Sequence, residues 1–299
     1  MILVTGGTGF IGQALIRHLL KNGESVRILV HPSAQTPSLP KGIALDVTVC
    51  SLSDERGLQA AMQDVDIIFH LASAGRSSQP AKLTAVDVEG TRSLVNAATK
   101  MRISRFIFLS QVSADKNSHF AVLKAKGLAE EILVKSSLNY TILRLTTVFG
   151  PQDHFMGQIA DMLKRNRFFF LMPGNGEVIL QPLWIQDLLA CLMLTIPDSR
   201  TFRQTISIGG GEYFSYRKIL KIIQQKLGIR RLLIPFSPAY LRLFNFWLNR
   251  QEQGAPYPTS WLDYLAADRT CALDTLPKFF GLLPARFERE LKYLERARK

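Results

Sequence analysis

The sequence of 299 residues has few cysteines and no long hydrophobic run. Its three cysteines, Cys50, Cys191 and Cys271, lie far apart, with no CxxC pair and no histidine cluster beside them. This spacing argues against a metal site and a disulfide framework, and it favours a reducing, cytoplasmic setting. No window reaches the roughly 20 apolar residues that a membrane-spanning helix needs, and the N-terminus has no pattern of a secretory signal.

Acidic residues are also scarce, since 24 Asp and Glu face 37 Lys and Arg, for a formal net charge of +13. A charge of this size favours anionic partners, such as cofactor phosphates, an acidic protein or an anionic membrane surface. A solvated basic surface accounts for it equally well. Nucleic acid is a poor fit because the sequence has no helix-turn-helix, zinc or aromatic RNA-binding signature.

Short apolar runs alternate with helical patterns through the first half of the chain. The runs predicted as buried strands are 2–5, 25–30, 66–71, 105–110 and 140–145. This alternation predicts a Rossmann-type α/β fold with a doubly wound parallel sheet. After residue 150 the pattern changes to amphipathic helices and turn-rich segments. We therefore expect a dinucleotide-binding domain over 1–150, with later returns to the sheet, and a smaller C-terminal α/β lobe over 151–299.

Three glycines, Gly6, Gly9 and Gly12, follow the first strand and open the first helix. Gly6 permits the tight turn, Gly9 lets the backbone approach a pyrophosphate, and Gly12 lets the helix pack on the strand. The N-terminus of the helix offers free N–H groups and the positive end of its dipole to the phosphates. The pattern predicts a dinucleotide site, and the neighbouring residues expected to line it are Thr8, Phe10 and Ile11.

The end of the second strand distinguishes NAD from NADP. An NAD site usually has Asp or Glu there to hold the ribose 2′-hydroxyl, but this sequence reads Val30-His31-Pro32-Ser33. His31 is a candidate ligand for a 2′-phosphate, with Arg27 nearby in sequence. The sequence thus favours NADP(H) over NAD(H), the alternative being that His31 is a polar loop residue.

Several motifs in the same order resemble the extended and atypical short-chain dehydrogenase/reductases. They are the glycine loop, FHLAS (69–73), VEGT (88–91), RFIFLS (105–110) and VFGP (148–151). Later motifs resemble the subgroup of the nucleotide-binding accessory subunit of respiratory complex I and its bacterial relatives: GPQDHF (150–155), PGNG (173–176), QPLWIQD (181–187) and LPARFE (283–288). The resemblance implies that the cofactor groove includes Ser51, Leu52, Leu71, Ala72, Ser73, Ser110 and Lys124.

The resemblance also implies a catalytic Ser or Thr, a Tyr and a Lys, the last two lying four residues apart on one helix face. Matching the motifs places Val112 at the first position, or Ser113 if the match shifts by one residue, Phe120 at the Tyr position and Lys124 at the Lys position. A phenyl ring has no titratable proton and cannot serve as a general acid or base. The expected proton donor is therefore missing.

Two hypotheses about function follow. In the first, the protein binds NAD(P) without hydride chemistry and acts as a structural, assembly or redox-sensing factor linked to a respiratory or quinone system. In the second, it is an NADP-dependent reductase or a sugar-nucleotide epimerase or dehydratase with a non-standard proton donor. The candidate donors are His119, Tyr140 and His154.

The segment 238–250 crowds aromatic and aliphatic residues, among them Tyr240, Leu243 and Trp247, with Arg242 and Arg250. Such a mixture suits a membrane interface, a protein partner, a lid over the substrate pocket or a core helix of the smaller lobe. On this basis we expect a cytoplasmic protein with a place at the membrane periphery, through the basic C-terminal lobe.

Overall fold

A computed structural model describes residues 1–33, 39, 45–75, 79–248, 257 and 259–296, except for the side chains of 244–248 and 296. The chain divides into two compact units. Unit 1 consists of 1–145 and 189–207, and unit 2 of 146–188 and 208–299. Part of the aromatic and basic segment 238–250, namely 244–248 and Arg250, thus lies outside the side chains that the structure describes.

The elements are numbered in chain order. The strands are β1 (Ile2–Thr5), β2 (Val26–Val30), β3 (Asp46–Val49), β4 (Ile67–His70), β5 (Arg105–Gln111), β6 (Tyr140–Leu145), β7 (Thr147–Phe149), β8 (Phe169–Pro173), β9 (Ile179–Leu180), β10 (Pro182–Trp184), β11 (Gln204–Ile208), β12 (Phe214–Ser215) and β13 (Leu232–Phe236). The α-helices are α1 (Phe10–Lys21), α2 (Glu55–Ala61), α3 (Pro80–Leu83), α4 (Gly90–Lys100), α5 (Ala121–Val134), α6 (Phe155–Arg165), α7 (Ile185–Thr195), α8 (Tyr216–Leu227), α9 (Pro238–Leu248), α10 (Thr259–Tyr264), α11 (Thr275–Phe280), α12 (Phe287–Glu290) and α13 (Tyr293–Arg296). A π-helical turn spans Thr84–Glu89, and a 3-10 turn spans Ser199–Thr201.

Seven strands form the central sheet in the order β3-β2-β1-β4-β5-β6-β11. The pairings from β3 through β6 are all parallel. The predicted doubly wound α/β fold is confirmed. Strand order reverses between β1 and β4. Ile2 of β1 pairs with Val26 of β2 on one side and with Ile67 of β4 on the other. Ligands of open α/β sheets bind at the carboxyl ends of the strands beside such a reversal.

Unit 1 packs its core on both faces of this sheet. Leu3 and Ile68 on one face, and Val4 and Phe69 on the other, are all fully buried. Central strands covered on both sides consist of near-continuous apolar residues, which is why they could be predicted. The edge strand β3 is different, because most of its side chains are exposed, and its sequence carries no such signal.

A buried arginine fixes the segment 189–207 to the sheet of unit 1. Arg105, in β5, donates from Nη2 to Thr141 Oγ1 (2.6 Å), to the Thr195 carbonyl (2.9 Å) and to Thr201 Oγ1 (2.6 Å). Its guanidinium also lies over the ring of Phe202, 4.3 Å from the centroid. Burial lowers the pKa of Arg105 to about 10. These contacts explain how a segment distant in sequence becomes part of unit 1.

Unit 2 contains three two-stranded sheets, which are β7–β10, β8–β13 and β9–β12. Its own core includes Phe149, Phe170, Tyr216, Trp261 and Phe287. Helix α8 begins after Ser215, whose hydroxyl accepts from Lys218 N (3.2 Å), and ends at Gly228 with φ +64°. Within the described ranges, none of the helices has the length and apolar character to cross a membrane.

Candidate functional site

The glycine loop joins β1 to α1 with no space for side chains at its turns. Gly6 adopts φ +73°, and a Cβ there would lie 2.6 Å from the backbone nitrogen of Ala72. A Cβ on Gly12 would lie 2.2 Å from the Gly6 carbonyl oxygen and 2.8 Å from Gly7 Cα. The start of α1 therefore packs directly on the loop, and the loop packs directly on the segment after β4.

The N-terminus of α1 is suited to an anion. Gly9 occupies the cap position in an extended conformation without a side-chain cap, and the first turn holds no acidic residue. The early N–H groups of a helix have no intrahelical acceptor and carry partial positive charge. Phe10 and Ile11 begin the helix, and Thr8 is exposed beside it. A cradle without Cβ atoms beside unpaired amides fits a pyrophosphate.

The groups after β2 and β3 are positioned at the same edge of the sheet. His31 is exposed, and its Nδ1 bonds the Pro32 carbonyl (2.6 Å). Arg27 does not join it, because this side chain bonds Asp46 (2.7 Å) and backbone carbonyls near the end of α2. The hydroxyl of Ser51 bonds that of Ser53 (2.8 Å), and the side chain of Leu52 packs against the start of α4.

A chain of hydrogen bonds through His70 links β1, β4 and α4. The Thr91 hydroxyl donates to the Asp87 carbonyl (2.7 Å), so it accepts from His70 Nε2 (2.8 Å). His70 Nδ1 then accepts from the Thr5 hydroxyl (2.7 Å), which itself accepts from Ala72 N (3.3 Å). Burial lowers the pKa of His70 to about 3, with a further contribution from Lys126. The imidazole is thus neutral, and its two hydrogen bonds hold β1 and α4 in place beside the glycine loop.

Asp87 and Lys126 form a buried ion pair beside this network. Lys126 Nζ lies 3.0 Å from Asp87 Oδ1, and their side chains are 5% and 1% exposed. Asp87 also accepts from Ser73 Oγ (2.6 Å) and Ala74 N (2.8 Å), while Lys126 donates to the Leu109 carbonyl (3.3 Å). Burial raises the pKa of Asp87, but Lys126 and the other donors outweigh burial and leave this pKa lowered. The pair fixes the loop that follows β4.

The structure separates the two lysines of α5. Lys126 is buried, whereas Lys124, which the sequence analysis assigned to the groove, is exposed. Two positions on a helix differ by about 200°, so the two side chains leave opposite faces. Lys124 therefore does not join Asp87 and Ser73. A tyrosine four residues before Lys124 would fall at Phe120, and one four residues before Lys126 would fall at Val122.

Titratable proton donors are scarce at this edge of unit 1. Phe120 and Val122 carry no ionisable group, Val112 is buried, and Ser113 is exposed with φ +65°. Tyr140 is the only tyrosine in the sequence of unit 1. It begins β6, about 16 Å along the strand from the carboxyl edge. His119 is exposed before α5.

A second polar cluster spans β5, β6 and α5. Ser110 Oγ donates to Glu130 Oε1 (2.5 Å), and Arg144 donates from Nη2 to Oε2 (2.5 Å) and from Nε to Oε1 (3.0 Å). Ser110, expected in the cofactor groove, is therefore engaged with Glu130. In the described part of the chain, no group of three or more His, Cys, Asp or Glu side chains is arranged to hold a metal ion.

The sequence analysis missed Lys126 and Glu130, although α5 carried a signal for both. Leu123, Gly127 and Leu133 fall on one face at helical spacing, and Lys126 and Glu130 lie on that same buried face. A polar residue on the apolar face of a helix can be buried only if it has a hydrogen-bonding or ionic partner. The helical period therefore identifies these two residues.

Comparisons with known proteins agree with this geometry. A family profile described as NAD(P)H-binding matches residues 6–154. The photosystem II assembly factor Ycf39 of Guillardia theta is 32% identical over 228 residues, covering 76% of this chain and 70% of the relative. Ycf39 of Cyanophora paradoxa is 34% identical over 159 residues, covering 53% of this chain and 48% of the relative, so the alignment spans about half of that protein.

A mitochondrial protein of Arabidopsis thaliana, NADH dehydrogenase (ubiquinone) 1 alpha subcomplex subunit 9, is 24% identical over 284 residues, covering 91% of this chain and 69% of the relative. Among solved structures, UDP-glucose 4-epimerase of Thermotoga maritima has a TM-score of 0.77 at 20% identity, covering 99% of this chain and 97% of that chain. The Bordetella bronchiseptica enzyme WbmG, solved with NAD and UDP, has a TM-score of 0.76 at 18% identity, covering 99% and 92%. At these identities the structural likeness shows the fold alone.

The buried ion pair predicts strong coupling in a double-mutant cycle. Asp87→Asn or Lys126→Met alone leaves an unpaired buried charge and should lower the free energy of unfolding by about 3–5 kcal/mol. The double variant should lose less than the sum, with a coupling energy of about 2 kcal/mol or more, measured by denaturant unfolding. The exposed pair Lys100–Glu55 (3.2 Å) is the matched control, with an expected coupling below about 1 kcal/mol. Additive effects of Asp87→Asn and Lys126→Met would contradict this account.

The neutral imidazole of His70 predicts a pH dependence of stability. The unfolded chain takes up a proton near pH 6.5, whereas the folded state resists protonation down to about pH 3. Stability should therefore fall as pH falls below 6.5, by about 2 kcal/mol at pH 5 from this group. His70→Gln, which keeps a donor and an acceptor, should remove this part of the pH dependence, measured by denaturant unfolding from pH 7.5 to pH 5. The exposed His31→Gln is the control and should retain the wild-type profile; identical profiles for wild type and His70→Gln would refute the assignment.

Proposed function

Because the chain belongs to the NAD(P)-binding atypical short-chain dehydrogenase/reductase family, we propose that it binds NADP(H) without catalysing hydride transfer and acts as a structural or assembly factor. The observation that carries the proposal is the engagement of Lys126 in a buried ion pair with Asp87, on a helix that offers no tyrosine. In this proposal, dinucleotide binding and catalysis use different residues of unit 1, and only the residues for binding are all present.

The role of Lys126 in this proposal follows from electrostatics. A lysine assists a catalytic tyrosine by lowering the pKa of its phenol, which requires a tyrosine within a few ångströms. At Val122 and Phe120 there is no phenol for Lys126 to act on. Its ammonium instead neutralises Asp87, bonds the Leu109 carbonyl and lies 4.9 Å from the centroid of the Phe108 ring. The lysine therefore has a structural role in this proposal.

The names of the relatives support an assembly role. Two of them are photosystem II assembly factors, and a third is a subunit of a mitochondrial NADH dehydrogenase. A dinucleotide that binds only the folded protein stabilises it by mass action, so it can set the population of a partner-competent conformation without reacting. In this proposal NADP(H) is a ligand that reports nucleotide supply or redox state to a respiratory or quinone-linked complex.

A second candidate function is a reductase or a sugar-nucleotide epimerase or dehydratase. The fold match to UDP-glucose 4-epimerase favours it. This function needs a proton donor outside α5. The two candidates differ in turnover of a substrate. A reductase consumes NADPH, whereas an epimerase or dehydratase converts its sugar nucleotide with no net change in the dinucleotide.

NADP(H) is favoured over NAD(H) by the absence of an acidic residue after β2. A carboxylate there would bind the 2′-hydroxyl of NAD and repel the 2′-phosphate of NADP. His31 is the basic side chain in the described part of the connection after β2.

Replacement of Gly12 by alanine tests the site. Because its Cβ would meet the Gly6 carbonyl at 2.2 Å, Gly12→Ala should weaken NADPH binding by about tenfold or more, measured by titration calorimetry. Gly157→Ala is the matched control, since this glycine lies in α6 with nothing within 4 Å of its added Cβ. Wild type should bind NADPH yet leave its absorbance unchanged with quinones and ketones, and it should leave UDP-sugars unconverted, by chromatography, in the presence of the oxidised dinucleotide. Turnover lost in Lys126→Ala or Lys124→Ala would reject the non-catalytic proposal, and equal affinity of wild type and Gly12→Ala would reject the site.

The nucleotide preference is tested by titrating NADPH and NADH into the same preparation. We expect tighter binding of NADPH, and His31→Ala should weaken NADPH binding by roughly threefold to tenfold while leaving NADH binding unchanged, as for loss of one hydrogen bond. Lys21→Ala removes an exposed basic side chain at the other end of α1 and serves as the control. Tighter binding of NADH by wild type would overturn the preference.

A further inference from the structure

One end of the β8–β13 ribbon in unit 2 exposes three large apolar side chains, which we call the apolar tip: Phe168, Phe169 and Leu232. The parallel register places Phe169 opposite Leu232, and Leu232 N donates to the Phe168 carbonyl (3.0 Å). Phe168 is 80% exposed and Leu232 is 67% exposed. Phe169 and Leu232 thus share one face of the ribbon, and Phe168 precedes Phe169 at the same exposed end.

The ribbon below the apolar tip is firmly anchored. Phe170 and Met172 of β8 alternate with Phe169 and are fully buried in the core of unit 2. Tyr257 Oη donates to the Leu171 carbonyl (2.6 Å). Because successive side chains of a strand point to opposite faces, Phe169 cannot enter this core without removing Phe170 from it. The register therefore imposes the exposure of Phe169 and of its partner Leu232.

Basic residues surround the apolar tip and have no acidic partner among the described residues. Arg165, Arg167 and Arg230 are exposed and immediately adjacent to it in sequence, and none of them forms an ion pair in the described part of the chain. The sequence around β8, 162–176, holds three basic residues and no acidic one. The sequence around β13, 213–251, holds eight basic residues and no acidic one. Arg165, Arg167 and Arg230 therefore make the surface beside the apolar tip locally positive.

A fourth arginine holds the two parts of this surface together. Arg231 donates from Nε to the carbonyls of Leu163 (3.1 Å) and Asn166, and its backbone N donates to Gln224 Oε1 (2.7 Å). These bonds connect the end of α6, the end of α8 and the start of β13. The backbone that carries the apolar tip is consequently fixed before it binds a partner, so little backbone conformational entropy is lost on binding.

We propose that the apolar tip and Arg165, Arg167 and Arg230 dock the protein on the surface of an anionic lipid bilayer. Phenylalanine and leucine side chains enter the boundary between headgroups and acyl chains, while arginines contact lipid phosphates. A stable protein interface buries roughly 800 Å² per partner, of which three side chains cover only a fraction, so the arrangement favours a membrane over an acidic protein. This inference concerns unit 2 and does not depend on whether the dinucleotide reacts.

The test is co-sedimentation of the full chain with vesicles of phosphatidylcholine, with and without phosphatidylglycerol, at low and at high salt. Wild type should bind only the anionic vesicles, and high salt should weaken binding. Arg167→Gln with Arg230→Gln should weaken binding about fivefold per arginine, or roughly 25-fold together. Phe168→Ser with Leu232→Ser should weaken it by about tenfold or more.

The matched control is Val134→Ser with Lys135→Gln on α5, which removes one exposed apolar and one exposed basic side chain from unit 1. It should bind vesicles within about twofold of wild type. All variants should keep the wild-type melting temperature and NADPH affinity, which shows that folding and the site in unit 1 are intact. Absence of binding at low salt, equal binding to neutral vesicles, or wild-type binding by the apolar-tip variants would overturn the proposal. Binding to polyglutamate but not to vesicles would assign the surface to an acidic protein instead.

Discussion

The buried ion pair between Asp87 and Lys126 is the interaction on which the rest of the candidate site depends. A carboxylate and an ammonium out of water are tolerated only when they neutralise each other and satisfy their hydrogen bonds. Here Asp87 also holds Ser73 and Ala74, so the pair sets the path of the loop after β4. That loop touches Gly6, and His70 connects both to α4. The groove therefore takes its shape from an electrostatic contact that lies beneath it.

Nucleotide binding and hydride transfer require different groups in unit 1. Phosphate recognition relies on backbone geometry, namely close-packed glycines and the open amides of α1, and needs no reactive side chain. Hydride transfer to a carbonyl needs a proton donor of suitable pKa beside the reacting atoms. In unit 1, Gly6, Gly9 and Gly12 provide this backbone geometry, whereas Val122 and Phe120, four residues before Lys126 and Lys124, carry no titratable proton. A chain with this pattern can retain the nucleotide as a ligand.

Much of this arrangement was predictable because its signals are local. The central strands are continuous apolar runs, and the glycine loop lies between a strand and a helix, so both the fold and the dinucleotide site follow from short segments. Motif matching assigned Lys124 to the groove and did not indicate Lys126, because it does not record which helix face is buried. The π-helical turn that positions Asp87, and the contacts of Arg105 with 195–202, depend on residues distant in sequence and leave no local pattern.

In the proposed role the chain holds a dinucleotide in a groove without the groups that would make it react. A crystal structure of the chain with NADPH bound is the sharpest test of this role. Lys126 Nζ should remain about 3.0 Å from Asp87, and no phenol, imidazole or carboxyl group should lie within hydrogen-bond distance of a substrate at nicotinamide C4. A tyrosine or histidine facing C4, or Lys126 turned from Asp87 to the ribose hydroxyls, would contradict it.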